Sequence, residues 1–158
     1  MKKEIYIQGI SILLLFLFAY TGVSKLLTLS AFKEQLISQP LTSRYPSVFM
    51  VAIPFIELSI SLLLIIPRTR RQALLGSFLL MTLFTFYVAY MLFILPENRL
   101  PCACGGIIKQ LSWHQHLVFN SIFTLLAFIA LLMSWSRSNN NKGSQNEIFQ
   151  LSSQHSTK

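Results

Sequence analysis

Charged residues are scarce in this chain of 158 residues: Asp, Glu, Lys and Arg together make up 11%, and only five residues are acidic. So few charges are atypical of a soluble domain of this length. A glycine-rich phosphate-binding motif and a Ser/His/Asp set are also missing, which argues against nucleotide-driven transport by this chain alone. Cysteine is limited to Cys102 and Cys104, so a single pair must carry any thiol chemistry.

Apolar residues are abundant instead, at 53% of the chain, and the mean hydropathy is +0.57. A helix that crosses a bilayer needs about 20 consecutive apolar residues. Four runs qualify, and they predict an all-α integral membrane four-helix bundle with helices at about 5–27, 47–66, 72–95 and 113–135. We therefore expect a membrane domain over residues 1–136 and a disordered polar cytoplasmic tail over 137–158.

The first apolar run follows Lys2 and Lys3 and could also be a cleaved signal peptide. Its apolar core is longer than the roughly 7–15 residues of a signal sequence, and no small-residue cleavage site follows it. We therefore expect this run to remain in the protein as a membrane-spanning helix.

The connections between the runs differ in character. Residues 25–47 are apolar and aromatic enough to lie at the membrane surface. The short connection from Pro67 to Arg71 predicts an antiparallel hairpin of the second and third spans.

The net charge of +8 is spread over connections and chain ends, without the basic patches interleaved with aromatic residues that bind nucleic acid. The densest basic cluster is the turn Arg68-Thr69-Arg70-Arg71, and cytoplasmic loops of membrane proteins are enriched in Lys and Arg. This pattern predicts cytoplasmic N- and C-termini in the bacterial inner membrane. The loop with Cys102 and Cys104 then faces the periplasm, where disulfides form and persist.

That loop precedes a predicted helix start. Ser112, Trp113, His114 and Gln115 have the form of a capping box, and the positive end of such a helix could stabilise a nearby thiolate. A disulfide between Cys102 and Cys104 would close a small and strained ring, which is easier to reduce than a structural bridge.

The flanking Gly105 and Gly106 allow the sharp turn that such a ring needs. These features favour redox function over a static bridge or two idle thiols. A metal site formed by Cys102, Cys104, His114 and His116 is a weaker alternative, because residues two apart on a helix face nearly opposite sides.

Polar residues within the spans are the other candidates. Glu57 lies inside the second run, and an ionisable group at that depth predicts either a function or a structural pair, for which Lys25 is the nearest partner. We favour the structural pair, or a Glu57 that burial keeps neutral, over a proton relay. Gly22 would let another helix approach closely, and Asn120 and Ser121 are expected to form interhelical hydrogen bonds.

The third span carries an aromatic cluster that could line a quinone pocket or face lipid. The sequence leaves both interpretations open. Its members are Phe78, Phe84, Phe86, Tyr87, Tyr90 and Phe93.

The chain resembles the MauE/DoxX family of redox-associated membrane proteins, and its MauE-like branch in particular. The resemblance covers about residues 5–135. It rests on Gly22-x-x-Lys25, on Pro54-x-x-Glu57, and on Cys102-x-Cys104-Gly105-Gly106 placed ahead of a Trp/His-led last helix.

This resemblance implies a role in periplasmic thiol-disulfide exchange, with Cys102 and Cys104 as the exchanging thiols. MauE-like proteins are associated with methylamine utilisation, where they support disulfide formation in the small subunit of methylamine dehydrogenase beside a thioredoxin-like partner. DoxX-like relatives are linked to thiosulfate and quinone chemistry.

DsbB-like and vitamin K epoxide reductase-like proteins carry a second cysteine pair that this chain lacks. The single pair would therefore couple directly to a quinone or exchange with a separate thioredoxin-like protein. Two other functional classes remain open: a membrane scaffold that docks a redox partner without turnover, and a small transporter or metal-handling protein that uses Glu57 or the Cys/His set.

Overall fold

The computed structural model describes residues 2–94 and 112–155, and these residues form helices and no strands. All-α architecture is therefore confirmed. The helices follow one another as α1 (Lys2–Leu27), α2 (Leu29–Ser38), α3 (Pro46–Ile65), α4 (Arg70–Ile94) and α5 (Trp113–His155).

Four of the five helices contain segments long and apolar enough to cross a membrane, as the sequence predicts. They are Lys3–Leu27, Pro46–Ile65, Arg70–Ile94 and His114–Ser136. Large apolar side chains cover their outer surface, including Phe16, Phe55 and Phe93. Such a surface suits lipid rather than water, so these segments form the membrane-spanning part of the chain.

The spans pack in chain order around the bundle. α1 packs mainly on α3, and α4 packs mainly on α5. Contacts of α1 with α5 and of α3 with α4 complete the ring. Buried side chains from the four helices meet in the centre, among them Leu14, Leu74 and Ala127, each with no exposed surface.

The hairpin between α3 and α4 forms as predicted. The Thr69 hydroxyl donates to the Leu63 carbonyl oxygen at 2.8 Å, and the Thr69 amide donates to that of Ile66 at 3.2 Å. These bonds satisfy carbonyl groups at the end of α3. The chain then enters α4 at Arg70, two residues before the predicted start.

The structure contains one helix, α2, beyond the four that the sequence predicts. It occupies the connection between the first two spans and buries Phe32 and Leu36 while Lys33 and Glu34 stay exposed. Ten residues with this amphipathic pattern are too short to cross a bilayer, so the hydropathy of spans does not reveal them. A position at the membrane surface stays a prediction for this helix.

The last helix also differs from its predicted bounds. α5 continues to His155, whereas its membrane-compatible segment ends at Ser136, beside the predicted end at 135. The backbone is thus helical over much of the region that the composition predicts to be disordered. The division of the chain into a membrane domain and a cytoplasmic tail at residue 136 stays a prediction.

Candidate functional site

A cavity of about 530 Å³ lies inside the bundle, and all five helices contribute to its walls. It is placed toward the end where α1 and α4 finish and α3 and α5 begin. Lys25 and Tyr90 line it from the last turns of α1 and α4, and Phe49 and His116 line it from the first turns of α3 and α5. Most of its walls are apolar, with a few polar groups placed among them.

An ion pair between α1 and α3 is the main charged feature of this cavity. Lys25 Nζ lies 2.7 Å from Oε1 and 2.9 Å from Oε2 of Glu57. The side chain of Glu57 is 2% exposed and that of Lys25 is 13% exposed. The structure thus forms the pair that the sequence suggests, while a functional role of either residue stays a prediction.

Close packing of α1 on α3 places the two charges together. Gly22 stands one turn before Lys25, and a Cβ atom built there would lie 2.9 Å from Cγ of Leu58 and 3.4 Å from Cβ of Glu57. A side chain at position 22 would therefore separate the helices. The lack of a side chain at Gly22 therefore permits the close approach of α1 and α3 beside the ion pair.

A second polar contact joins the segment after α2 to α4. The hydroxyl of Tyr87 donates to Oε1 of Gln39, and both residues line the cavity. Thr42 holds this segment in place by donating its hydroxyl to the carbonyl oxygen of Leu36 at 2.7 Å. Gln39 is not among the residues predicted from the sequence, although Pro40 after it disfavours a helical backbone at Gln39, which is extended in the structure.

Interhelical hydrogen bonding between α4 and α5 differs from the prediction. The hydroxyls of Thr85 and Thr124 lie 2.9 Å apart and connect these helices. The prediction for Ser121 is wrong, because its exposed hydroxyl donates to the Leu117 carbonyl oxygen of its own helix at 2.8 Å. Hydroxyl groups in apolar helices commonly bond back to the preceding turn.

Asn120 is 7% exposed and lines the cavity. Its backbone carbonyl oxygen accepts from Thr124, but its side-chain amide has no hydrogen-bond partner within the described residues. The predicted interhelical bond of this amide is therefore not formed there.

The predicted capping box at the start of α5 is formed. The Ser112 amide donates to Oε1 of Gln115 at 3.0 Å, and the Gln115 amide donates to Oγ of Ser112 at 3.3 Å. Two amides at the helix start thereby gain partners, so α5 begins at Trp113.

We expect Ser112→Ala to destabilise the start of α5 by about 1 kcal/mol, because a side-chain cap is lost. Hydrogen exchange of the first-turn amides in detergent micelles measures this effect. Ser121→Ala is the matched control, since its hydroxyl is exposed and bonds within the helix. Equal protection of the first turn in both variants would contradict the assigned cap.

The two histidines of α5 lie in different surroundings. His114 is exposed, whereas His116 is half-buried and lines the cavity. Within residues 2–94 and 112–155, no group of three or more His, Cys, Asp or Glu side chains is placed to hold a metal ion. The metal site that would add the two cysteines to these histidines stays a prediction.

The aromatic cluster of α4 divides between three surroundings. Phe84, Phe86, Tyr87 and Tyr90 line the cavity. Phe78 instead packs on Phe128 of α5, with ring centroids 5.3 Å apart. Phe93 is 87% exposed on the outer surface.

Cys102, Cys104, Gly105 and Gly106 lie outside the described residues. The chain leaves the described part at Ile94 and re-enters it at Ser112. Tyr90 and His116, each four residues from one of these points, both line the cavity. The cysteine-bearing connection is therefore attached to the bundle on both sides at the cavity end.

A comparison of the sequence with protein families gives a match over most of the chain. The sequence model described as "Methylamine utilisation protein MauE" matches residues 3–133, which include all four membrane-spanning segments except the last turn of the fourth. Neither a curated protein nor a solved structure matches the chain significantly.

Proposed function

Since the chain belongs to the MauE family of membrane proteins, we propose that it takes part in periplasmic thiol-disulfide exchange through Cys102 and Cys104 during methylamine utilisation. Membership of this family supports a role in methylamine utilisation. One observation supports the thiol chemistry. The end of α4 at Tyr90 and the start of α5 at His116, which flank the cysteine-bearing residues in the chain, both lie at the end of the bundle that holds the cavity.

The exchange step moves two electrons and two protons. A thiolate of a reduced partner protein attacks one sulfur of the Cys102–Cys104 disulfide, forms a mixed disulfide and releases the other cysteine as a thiolate. The second thiol of the partner then attacks the mixed disulfide. The partner leaves with a disulfide, and the pair Cys102 and Cys104 is left as a dithiol.

The resemblance to MauE-like proteins supports two classes of partner. One is a thioredoxin-like periplasmic protein, and the other is a periplasmic protein that matures by disulfide formation, similar to the small subunit of methylamine dehydrogenase. A strained ring between residues two apart gives up its bond readily, which suits transfer to such a partner better than structural stapling.

The exchange is tested with the full chain in lipid nanodiscs, oxidised beforehand and mixed with reduced thioredoxin as the probe. We expect wild type to oxidise thioredoxin, and Cys102→Ser combined with Cys104→Ser to abolish this activity. Each single variant lacks the disulfide that the thioredoxin thiolate attacks, so it should be as inactive as the double variant. If the double variant supports maturation of the periplasmic substrate in cells as well as wild type does, the chain is a scaffold.

We place the cysteine loop on the periplasmic side of the inner membrane, with both termini in the cytoplasm. The Arg68–Arg71 turn at the opposite end of the bundle supports this orientation. In reduced cells with a permeabilised outer membrane, we expect an impermeant maleimide to label Cys102 and Cys104. Arg68→Cys in a cysteine-free background is the matched control and should react only after the inner membrane is lysed. The reverse pattern would overturn the orientation.

A further inference from the structure

A cluster of arginines lies at the end of the bundle opposite the cavity. Arg68 belongs to the turn between α3 and α4, and Arg70 and Arg71 are the first two residues of α4. Lys3, in the first turn of α1, lies at the same end. Among the side chains that the structure describes, Glu4 is the only carboxylate there. This end of the bundle therefore carries an excess of positive charge.

The neighbours of the cluster indicate its depth in the membrane. One membrane-spanning segment begins at Arg70, and another ends at Ser136. Cζ of Arg71 lies 5.0 Å from the ring centroid of Trp135, so the ends of these two segments meet. Tryptophan is enriched at the level of the lipid headgroups, and arginine stacks on its ring. The arginines consequently lie at the level of the lipid phosphates.

Membrane topology alone does not account for Arg70. An arginine that only keeps a loop on one side of the membrane can extend into water. Arg70 is instead half-buried, and its Nε atom is buried without a hydrogen-bond partner among the described residues. A buried donor of a charged group is costly when unpaired, and native proteins rarely leave one so. This N–H group therefore calls for an acceptor from outside the described residues.

The surface next to the cluster is apolar. Leu75 lies one turn after Arg71 on the same face of α4, and Leu132 lies three residues before Trp135 on the same face of α5. Both leucines are exposed. Because Arg71 and Trp135 join the two faces, an apolar strip leads from the arginines into the membrane-spanning part. A ligand that fits this surface has a negative head and an apolar tail.

We propose that an anionic phospholipid binds here, with a phosphate oxygen accepting a hydrogen bond from Nε of Arg70 and the acyl chains lying along Leu75 and Leu132. A guanidinium group matches phosphate oxygens with paired hydrogen bonds, and basic clusters next to a membrane-spanning helix attract anionic lipids. A zwitterionic lipid fits less well, because the excess of positive charge repels its cation. The site does not depend on the proposed thiol exchange.

Binding is tested by quenching of tryptophan fluorescence with brominated lipids in vesicles that contain the full chain. The sequence has two tryptophans, Trp135 beside the arginines and Trp113 at the opposite end of the same membrane-spanning segment. Trp113→Phe leaves Trp135 as the reporter of the proposed site, and Trp135→Phe leaves Trp113 as the reporter of the other end. Dibrominated phosphatidylglycerol and phosphatidylcholine, compared at equal mole fraction, give the relative affinity at each reporter.

We expect Trp135 to report a clear preference for phosphatidylglycerol and Trp113 to report a weaker one. Arg70→Gln should lower the preference at Trp135 about fivefold, the equivalent of the roughly 1 kcal/mol that one basic residue contributes at an anionic surface. Arg70→Lys should lower it as well, because an ammonium group keeps the charge but not the paired hydrogen bonds. Lys33→Gln, on the exposed face of α2, is the matched control and should bind as wild type does.

Equal preference at the two tryptophans would overturn the site, and so would an Arg70→Lys variant that retains the full preference. Either result would indicate a diffuse effect of charge. Inorganic phosphate, compared with chloride at equal ionic strength, should leave the preference at Trp135 unchanged. Its loss in phosphate would show that the site takes free phosphate instead of a lipid. The comparison of the two reporters alters none of the arginines, so it tests the site even if a variant of Arg70 does not fold.

Discussion

Lys25→Met is expected to lower the free energy of unfolding of the bundle by about 3–5 kcal/mol, because it leaves a buried carboxylate without its cation. Glu57 is 2% exposed, and Nζ of Lys25 donates to both of its carboxylate oxygens, at 2.7 and 2.9 Å. Unfolding in mixed micelles of detergent and denaturant, followed by circular dichroism, measures the loss.

The partner variant and the double variant complete the cycle. Glu57→Leu alone should also destabilise, since it leaves the ammonium group of Lys25 at 13% exposure. Lys25→Met combined with Glu57→Leu should recover much of the loss, because apolar side chains of similar volume can replace a buried pair. Lys33→Met, on the exposed face of α2, is the matched control. A loss in the double variant equal to the sum of the two single losses would mean that the pair is not coupled.

Gly22→Leu is expected to destabilise the chain by about 1–3 kcal/mol or more, because α1 and α3 pack too closely at that point for a side chain. A Cβ atom alone would lie 2.9 Å from Cγ of Leu58. The helices would have to move apart, and the contact between Lys25 and Glu57 would lengthen. The same unfolding measurement applies.

Gly9 provides a control in the same helix. Apart from the adjoining backbone of α1 and the two chain neighbours, no described atom lies within 4 Å of a Cβ built at Gly9. Gly9→Leu should therefore be neutral or stabilising, since leucine favours a helix more than glycine does. The contrast isolates packing from helix propensity. Equal effects at the two positions would show that the close approach at Gly22 does not limit stability.

The spans could be predicted from the sequence because each is marked by about 20 apolar residues, and hydropathy measures that property directly. The start of α5 could also be predicted, because the capping box at Ser112 depends only on neighbouring residues. The pairing of Lys25 with Glu57 was accessible for another reason. Few charges occur within the spans, and each of them needs a partner there.

Features that depend on tertiary packing could not be predicted from the sequence. α2 is too short for a span, and its buried Phe32 and Leu36 are meaningful only beside the helices that cover them. The contact of Gln39 with Tyr87 joins residues 48 positions apart, and no local pattern links them. Thr85 and Thr124 took the interhelical role expected of Ser121, because the rotation of each helix decides which hydroxyl faces a neighbour.

The ion pair also bears on how the chain is inserted into the membrane. Lys25 and Glu57 are 32 residues apart, so α1 enters the bilayer before its partner helix has been made. A charge at the centre of a membrane-spanning helix disfavours insertion by about 2.5–3.5 kcal/mol, and Glu57 lies inside α3, whereas Lys25 is in the last turn of α1. We therefore expect α3 to insert against α1, where Lys25 neutralises Glu57. Biogenesis would begin with this pair of helices, and α4 and α5 would later close the cavity around a contact already made.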